Sequence, residues 1–185
     1  MNPSLFQGRL VRLTAEDPAV VAELFARSSR DSEYIRLLDT TESRLWSLKK
    51  IKEWLEKDLE KESPTTFNFF IRALEGDRLI GFVGLGGVQG SQGDAWMSIG
   101  LGDRQDWGKG YGTDALQVLL RYAFTELNLH RVSLAVFEYN PRALRSYEKA
   151  GFRIEGCQRK MTQREGRRWD GFHMGILREE WEKRA

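Results

Sequence analysis

The first half of the chain alternates strand-like and helix-like patterns. Residues 9–13 (RLVRL) alternate apolar and charged positions and predict a strand. Asp17-Pro18 has the form of a helix N-cap with proline at the first helical position, so we expect a helix to about Arg30. Residues 31–47 are polar without a clear period and predict irregular structure. Leu48–Lys61 places apolar residues at helical spacing, and Ser63-Pro64 ends that helix.

The middle of the chain favours strands joined by tight turns. Phe67–Ala73 and Arg78–Val88 are rich in β-branched, aromatic and glycine residues, and Glu75-Gly76-Asp77 between them is typical of a hairpin turn. A second turn at Gln89–Gly93 leads into a strand at Ala95–Leu101.

The second half alternates helices and strands. A glycine-rich turn is followed by a predicted helix at Tyr111–Leu127, a strand at Arg131–Glu138, a helix at Pro141–Ala150, and strands at Phe152–Gln158 and Arg168–Leu177. Strands first and β-α-β units later predict the α/β (α+β) class, with a mixed sheet and helices on both faces.

Composition narrows the classes of protein. The 185 residues are 41% hydrophobic and carry a net charge of +2, which predicts one folded domain. Basic residues are interleaved with acidic ones, so we expect no nucleic-acid partner. A single cysteine, Cys157, and two histidines exclude a disulfide within the chain and speak against a metal site. No signal-peptide pattern or membrane-length apolar run is present, so we expect a cytoplasmic protein with no membrane partner.

The most informative segment is the glycine-rich turn Gln105–Thr113 (QDWGKGYGT), which lies between a predicted strand and a predicted helix. The first turn of a helix has unpaired N–H groups and partial positive charge, and glycine lets the backbone approach a diphosphate closely. Neither the Walker pattern nor the dinucleotide G-x-G-x-x-G pattern is met. The alternative is that these glycines only make a tight turn.

The spacing Gln105-x-x-Gly108-x-Gly110 resembles the acetyl-CoA signature of the GNAT N-acetyltransferase superfamily. The resemblance continues through Asn128–Val132, Asn140–Ala143 and Ser146–Phe152, in the order found in the ribosomal-protein N-terminal acetyltransferases, the RimJ/RimL-like branch. It spans roughly residues 99–177.

This resemblance implies a mostly antiparallel sheet of six to seven strands in which Ala95–Leu101 and Arg131–Glu138 are parallel neighbours that splay apart. The pantetheine arm of acetyl-CoA would enter that gap and pair with the strand as a pseudo-peptide. The resemblance further implies a single acetyltransferase domain over residues 1–185, with 1–93 mainly on the acceptor side and 94–177 on the acetyl-CoA side. The cofactor-binding residues that it implies are Ile99, Gly100, Leu101, Gln105, Asp106, Trp107, Gly108, Lys109, Gly110, Tyr111, Gly112, Thr113, Asn140, Arg142 and Tyr147.

Three residues are candidates for catalysis. Tyr147 matches the family's general acid, which would protonate the thiolate that leaves the tetrahedral intermediate of direct transfer. Its alternative role is to pack a helix onto the sheet. Asn140 matches a residue that binds cofactor or an ordered water, and it is also a good helix N-cap before Pro141. Ser98 could orient a water.

The general base is not apparent from the sequence. Many relatives carry a glutamate on the strand before the turn, where this chain has Trp96. Asp94, Glu138 and an amine that arrives neutral are the alternatives. Cys157 is expected to be a small apolar core residue rather than a nucleophile.

The acceptor is expected to be a primary amine, most simply a protein or peptide N-terminus. A polyamine such as spermidine is the alternative, because Asn128–Gly156 is also similar to spermidine acetyltransferases. It would need an acidic pocket, for which Asp31, Glu33, Asp39 and Glu42 are candidates. An antibiotic amine, a non-catalytic CoA sensor and another nucleotide-binding protein are further alternatives. The resemblance also implies a possible homodimer.

Overall fold

A computed structural model describes residues 4–59 and 63–184 of the protein. Its strands are β1 (Val11–Thr14), β2 (Phe67–Ala73), β3 (Leu79–Gln89), β4 (Asp94–Leu101), β5 (Arg131–Phe137), β6 (Arg153–Arg164) and β7 (Arg167–Leu177). Its helices are α1 (Pro18–Ser28), α2 (Ser32–Leu38), α3 (Leu48–Leu59), α4 (Tyr111–Arg121), α5 (Pro141–Ala150) and α6 (Arg178–Glu182). None of the helices in this described part is long and apolar enough to cross a lipid bilayer.

The strands form one seven-stranded sheet in the order β1-β2-β3-β4-β5-β7-β6. Every neighbouring pair is antiparallel except β4 and β5, which are parallel. The expected mixed, mostly antiparallel sheet is therefore confirmed.

Helices cover both faces of the sheet. Neighbouring residues of a strand point to opposite faces, so one strand can contribute to the core on each side. In β2, Ile71 belongs to the main core with Leu116, Leu119 and Leu120 of α4. The adjacent Phe70 belongs to a second cluster, formed with Val21 and Ala22 of α1 and Ile51 and Leu55 of α3. Burying each large aliphatic side chain contributes about 1.5–3 kcal/mol, so α4 is anchored firmly beneath the sheet.

The prediction that residues 31–47 are irregular is wrong in part, because this segment contains α2. Asp31 caps this helix by accepting the Glu33 N–H at 3.0 Å. Tyr34 is buried beneath it. Two turns of helix are too short to establish a visible apolar period, which is why the pattern did not reveal it.

The predicted end of the sixth strand at Gln158 is also wrong. β6 continues to Arg164 and pairs with β7 across a two-residue turn in which Glu165 and Gly166 both have positive φ. A bulge that shifts the register between Gln158 and Thr162 interrupts the alternation and hides the longer strand.

The other helices end closer to their predicted positions. The α-helical part of the predicted Tyr111–Leu127 helix ends at Arg121 and continues as a π-helical turn at Tyr122–Glu126. Lys61, the predicted end of the third helix, lies outside the described residues.

Candidate active site

β4 and β5 pair over three residues only and then diverge. Asp94–Trp96 pairs with Arg131–Ser133, and no pairing follows along the rest of either strand. On its other side, β4 remains paired with β3 throughout this stretch, and β5 likewise remains paired with β7. The gap is therefore a property of this one parallel pair.

The main chain of β4 directs hydrogen-bonding groups into this gap. A strand residue points its N–H and C=O to the same side, and successive residues alternate. The Gly102 N–H donates to the Ile80 carbonyl on the β3 side at 2.9 Å. Ile99 and Leu101 therefore face the gap. The Leu101 carbonyl accepts the Trp107 Nε1–H at 2.8 Å, and the groups of Ile99 remain available to a strand-like ligand.

The turn at the end of the gap exposes the first amides of α4. Gly110 is the N-cap of α4 with φ of 89°, and it provides no side-chain cap. Gly108 has φ of 76°, and a Cβ there would meet nothing within 4 Å. The amides that open α4 have no intrahelical acceptor, so this turn presents an uncovered set of N–H donors next to open space.

Two acidic residues hold the turn in place. Asp106 is fully buried, and its carboxylate accepts a hydrogen bond from the Arg78 guanidinium at 2.7 Å. The Asp114 carboxylate accepts three consecutive backbone N–H groups, those of Arg9, Leu10 and Val11, and so joins α4 to the strand β1. The Asp106 side chain is thus committed to Arg78 rather than directed at a ligand.

A cavity of about 410 Å³, here named the splay cavity, extends along the gap and the turn. Besides Asp106, eleven of the predicted cofactor-binding residues line this cavity. They are Ile99, Gly100, Leu101, Trp107, Gly108, Gly110, Gly112, Thr113, Asn140, Arg142 and Tyr147. Gln105 and Lys109 are exposed and do not line it, and Tyr111 is buried in the core.

Sequence reasoning missed two basic residues of this cavity. Arg145 and Lys149 line it together with Arg142. Positions 142, 145 and 149 follow the i, i+3, i+7 spacing of one helix face, which is the signal that would have found them. The three side chains give the α5 wall the positive charge that a diphosphate requires.

Tyr147 lines the splay cavity from α5 and is 8% exposed. Burial raises the pKa of its phenol to about 12, so the hydroxyl carries its proton throughout the neutral range. Asn140 performs the capping role, because its Oδ1 accepts the Ala143 N–H at 3.2 Å, and it lines the cavity as well. Tyr34 of α2 lines the same cavity, and burial raises the pKa of this second phenol.

A second cavity of about 750 Å³, here named the aromatic cavity, lies between the sheet and helices α1 to α3. Ser98 lines this cavity and not the first one, together with Asn68, which sequence reasoning did not identify. Both pair with Gly84 of β3, one from each side. The two cavities share Tyr34 and Leu38.

The positions considered for a general base lie away from both cavities. Trp96, which stands where many relatives carry the glutamate, is half exposed, with its ring 6.0 Å from the His173 ring. Asp94 lies at the closed, paired end of the gap. The Glu138 carboxylate accepts the Asp170 N–H at 3.0 Å and serves the β7 edge.

Cys157 is not the core residue that we predicted. It is exposed on the edge strand β6 because that strand has no neighbour on its outer side. Desolvation and the Asp170 carboxylate raise the pKa of its thiol, and it lines neither cavity. Within the described residues, no three His, Cys, Asp or Glu side chains come close enough to hold a metal ion.

Comparison with known proteins places this geometry in a family. Residues 9–153 match the family model described as an acetyltransferase (GNAT) domain. The SPbeta prophage-derived uncharacterized N-acetyltransferase YokL of Bacillus subtilis is 30% identical over 155 residues, which are 83% of this chain and 84% of that protein. The probable N-acetyltransferase YjcK of the same organism is 37% identical over 69% of this chain and 67% of its own length.

Solved structures agree on the fold. A GNAT-family acetyltransferase from Bacillus anthracis superposes with a TM-score of 0.78 at 20% identity, covering 95% of this chain and 99% of that one. A spermidine N-acetyltransferase from Vibrio cholerae, solved in complex with CoA and spermine, superposes with a TM-score of 0.73 at 25% identity over 93% and 96% of the two chains.

The protein therefore belongs to the GNAT family of acetyltransferases and is an acetyl-CoA-dependent N-acetyltransferase. The family is one of enzymes, which decides against the CoA sensor and the unrelated nucleotide-binding protein. The chain's own residues fit acetyl-CoA: a free strand edge at Ile99, open space at Gly108, uncovered amides at the start of α4 and a basic face on α5.

Proposed function

We propose that this enzyme acetylates the primary amine of a protein or peptide N-terminus by direct transfer, in the manner of the RimJ/RimL-like branch. The observation that supports direct transfer is that the two cavities meet at β4, where Ser98 lines one and Ile99 and Gly100 line the other. An amine entering through the aromatic cavity can thus reach an acyl group in the splay cavity without a covalent relay.

The roles of the side chains follow from their placement. Acetyl-CoA supplies an activated acyl group, a thioester whose thiolate leaves as the amine attacks. Tyr147, with a protonated and buried phenol, donates the proton that the leaving sulfur takes up. The amides that open α4 and the basic side chains of Arg142, Arg145 and Lys149 hold the diphosphate.

The proton of the attacking amine leaves through water. No carboxylate stands at Trp96, and Ser98 with Asn68 gives the floor of the aromatic cavity two polar groups that hold and orient a water molecule. An α-amine has an ordinary pKa of about 7.7–8.0, so roughly a fifth to a third of it is neutral at a pH of about 7.4 without a dedicated base.

A polyamine is the second candidate, because the Vibrio cholerae relative of 25% identity is named a spermidine N-acetyltransferase. Three of the four acidic residues that would bind such a cation are ion-paired in this chain, and the fourth, Asp39, accepts the Thr41 N–H. Arg104 contacts Asp31 at 2.5 Å and Glu33 at 2.7 Å. Glu42 faces Arg44 at 3.5 Å. These contacts favour the N-terminal amine over the polyamine.

The proposal is tested by measuring CoA release with a panel of short peptides, matched N-acetylated peptides and spermidine. Peptides with a free N-terminus should be turned over, and the blocked peptides should not. Tyr147→Phe should lower kcat by about a hundredfold or more while CoA binding, measured by calorimetry, is retained. Tyr122→Phe, which removes a hydroxyl outside both cavities, is the control. Turnover of spermidine alone would overturn the assignment.

A further inference from the structure

The walls of the aromatic cavity are built from a continuous series of rings. Trp46 contacts Trp54 with ring centroids 6.5 Å apart, Trp54 contacts Phe25 at 6.3 Å, and Phe25 contacts Phe82 at 5.7 Å. We name these four residues the aromatic wall. Trp46 and Trp54 are 37% and 46% exposed, so the outer half of the wall is not covered by the protein's own core.

The aromatic wall leads from the cavity rim to the reaction centre. Its inner end, Phe82, pairs with Gly100 of β4, and a Cβ added to Gly100 would come within 2.6 Å of the Phe82 ring. The Tyr34 hydroxyl is 3.1 Å from the same point. Gly100 also lines the splay cavity. A molecule lying along the wall therefore has one end beside the residues that would hold the thioester.

A positive charge at the outer end of the wall disfavours a cationic group against Trp46. The Lys50 ammonium lies 4.6 Å from the centroid of the Trp46 ring and covers it with positive charge. Glu42 is paired with Arg44, and Asp39 accepts the Thr41 N–H at 3.0 Å. An additional ammonium group beside Trp46 would meet the like charge of Lys50 and would compete with Arg44 for Glu42, which leaves Asp39 as the lining carboxylate that an ion pair does not engage.

From this arrangement we infer that the acceptor carries an aromatic or large apolar group next to its primary amine. For the N-terminal amine of the proposed function, on which this inference rests, that group is the side chain of the first residue. A cavity of about 750 Å³ is of the size that binds such groups. Asn68 and Ser98 lie on its floor, where the water that they orient can contact the amine of the acceptor while the ring lies against the wall.

The absence of a side chain at Gly84 of β3 contributes to this space. Gly84 stands between Asn68 and Ser98, and a Cβ there would come within 2.5 Å of the Asn68 Oδ1. Any larger residue at position 84 would displace the Asn68 amide and fill the floor.

The experiment compares kcat/KM for four tripeptides that differ only in the first residue, Phe, Leu, Ala and Lys, with phenethylamine and spermidine as small-amine arms. We expect the Phe peptide to exceed the Ala and Lys peptides by about tenfold or more, since an aromatic contact of about 1.4 kcal/mol corresponds to tenfold in affinity. Trp54→Ala and Trp46→Ala should each remove most of that preference through KM. Leu45→Ala, at the 81% exposed neighbour of Trp46, is the matched control and should change nothing.

The outcomes separate the two proposals. Equal turnover of the Phe, Ala and Lys peptides, or a Trp54→Ala variant that lowers all of them equally, overturns the aromatic preference and leaves N-terminal acetylation standing. Turnover of phenethylamine, reduced by Trp54→Ala, without turnover of any peptide supports the aromatic acceptor and overturns the peptide assignment. Turnover of spermidine alone overturns both.

Discussion

The guanidinium carbon of Arg142 lies 3.6 Å from the centre of the Trp107 ring. The same indole donates its Nε1–H to the carbonyl of Leu101 at 2.8 Å. Trp107 therefore connects the last residue of β4 to the first turn of α5, and these two elements form opposite walls of the splay cavity. Neither contact is visible in the sequence, since the three residues are separated by 6 and 35 positions.

Replacing Trp107 should loosen both walls. Trp107→Phe keeps a ring face for Arg142 and loses the hydrogen bond, so we expect the Kd for CoA to rise about threefold to tenfold. Trp107→Ala also loses the cation–π contact, so its Kd for CoA should rise further. Trp169→Phe is the control, because Trp169 is stacked by Arg167 and donates to the Arg164 carbonyl outside both cavities. An unchanged Kd in Trp107→Ala, measured by calorimetry, would contradict this role.

Gly108 and Gly166 form a matched pair for testing the turn. Their φ angles are 76° and 75°, and a Cβ at either would meet nothing within 4 Å. Alanine at either position costs about 1 kcal/mol of stability through its left-handed backbone. Only Gly108→Ala should also weaken CoA binding, by tenfold or more, because its methyl group occupies the approach of the diphosphate. Equal CoA affinity of both variants would show that the diphosphate does not lie against Gly108.

The fold could be predicted well where the pattern was long and regular. The strands β2 to β5 and the helices α4 and α5 begin within two residues of the predicted positions, since each has several buried residues at the correct period. The helix α2 and the outer part of β6 could not be predicted, because α2 is only two turns long and a bulge interrupts the alternation in β6. Local irregularities of this kind depend on contacts such as Asp170 accepting the Lys160 N–H at 2.7 Å, across the hairpin.

The site divides in the same way. The glycine turn, Asn140 and Tyr147 form contiguous motifs and could be found in the sequence. Tyr34, Asn68 and the aromatic wall come from separate elements of the first half and converge only in the folded chain. The proposed acceptor cavity therefore requires the structure, whereas much of the proposed acetyl-CoA cavity does not.

The burial of Asp106 makes its partner important for stability. Arg78 and Asp106 are in contact at 2.7 Å, as are Arg12 and Asp77, but Asp106 is fully buried while Asp77 is exposed. Arg78→Ala leaves a buried carboxylate without its ion pair and should lower the free energy of unfolding by about 2–3 kcal/mol. Arg12→Ala should cost less than about 1 kcal/mol. Equal losses in urea titrations would show that burial does not decide the cost.

The raised pKa of the Tyr147 phenol sets the pH range in which the enzyme can be examined. Burial favours the protonated phenol in the folded state and moves its pKa from 10 to about 12. The contribution of this group to stability is therefore complete below pH 10 and is lost as the pH rises through about 12. Ionisation of Tyr147 should accordingly not destabilise the fold below pH 10, and near-ultraviolet circular dichroism can check that the enzyme is folded at each pH used.

Within that range Tyr147 should impose no alkaline limit on turnover. A general acid with a pKa of about 12 remains protonated at every pH below 10, while the acceptor amine must lose a proton before it attacks. With a peptide acceptor, kcat/KM should rise through a pH of about 8 and then stay level to pH 10, because the α-amine titrates there. Tyr147→Phe should lower the plateau and leave the midpoint unchanged. A decline between pH 8.5 and 10 in the folded wild-type enzyme would mean that another group, with an ordinary pKa, donates the proton.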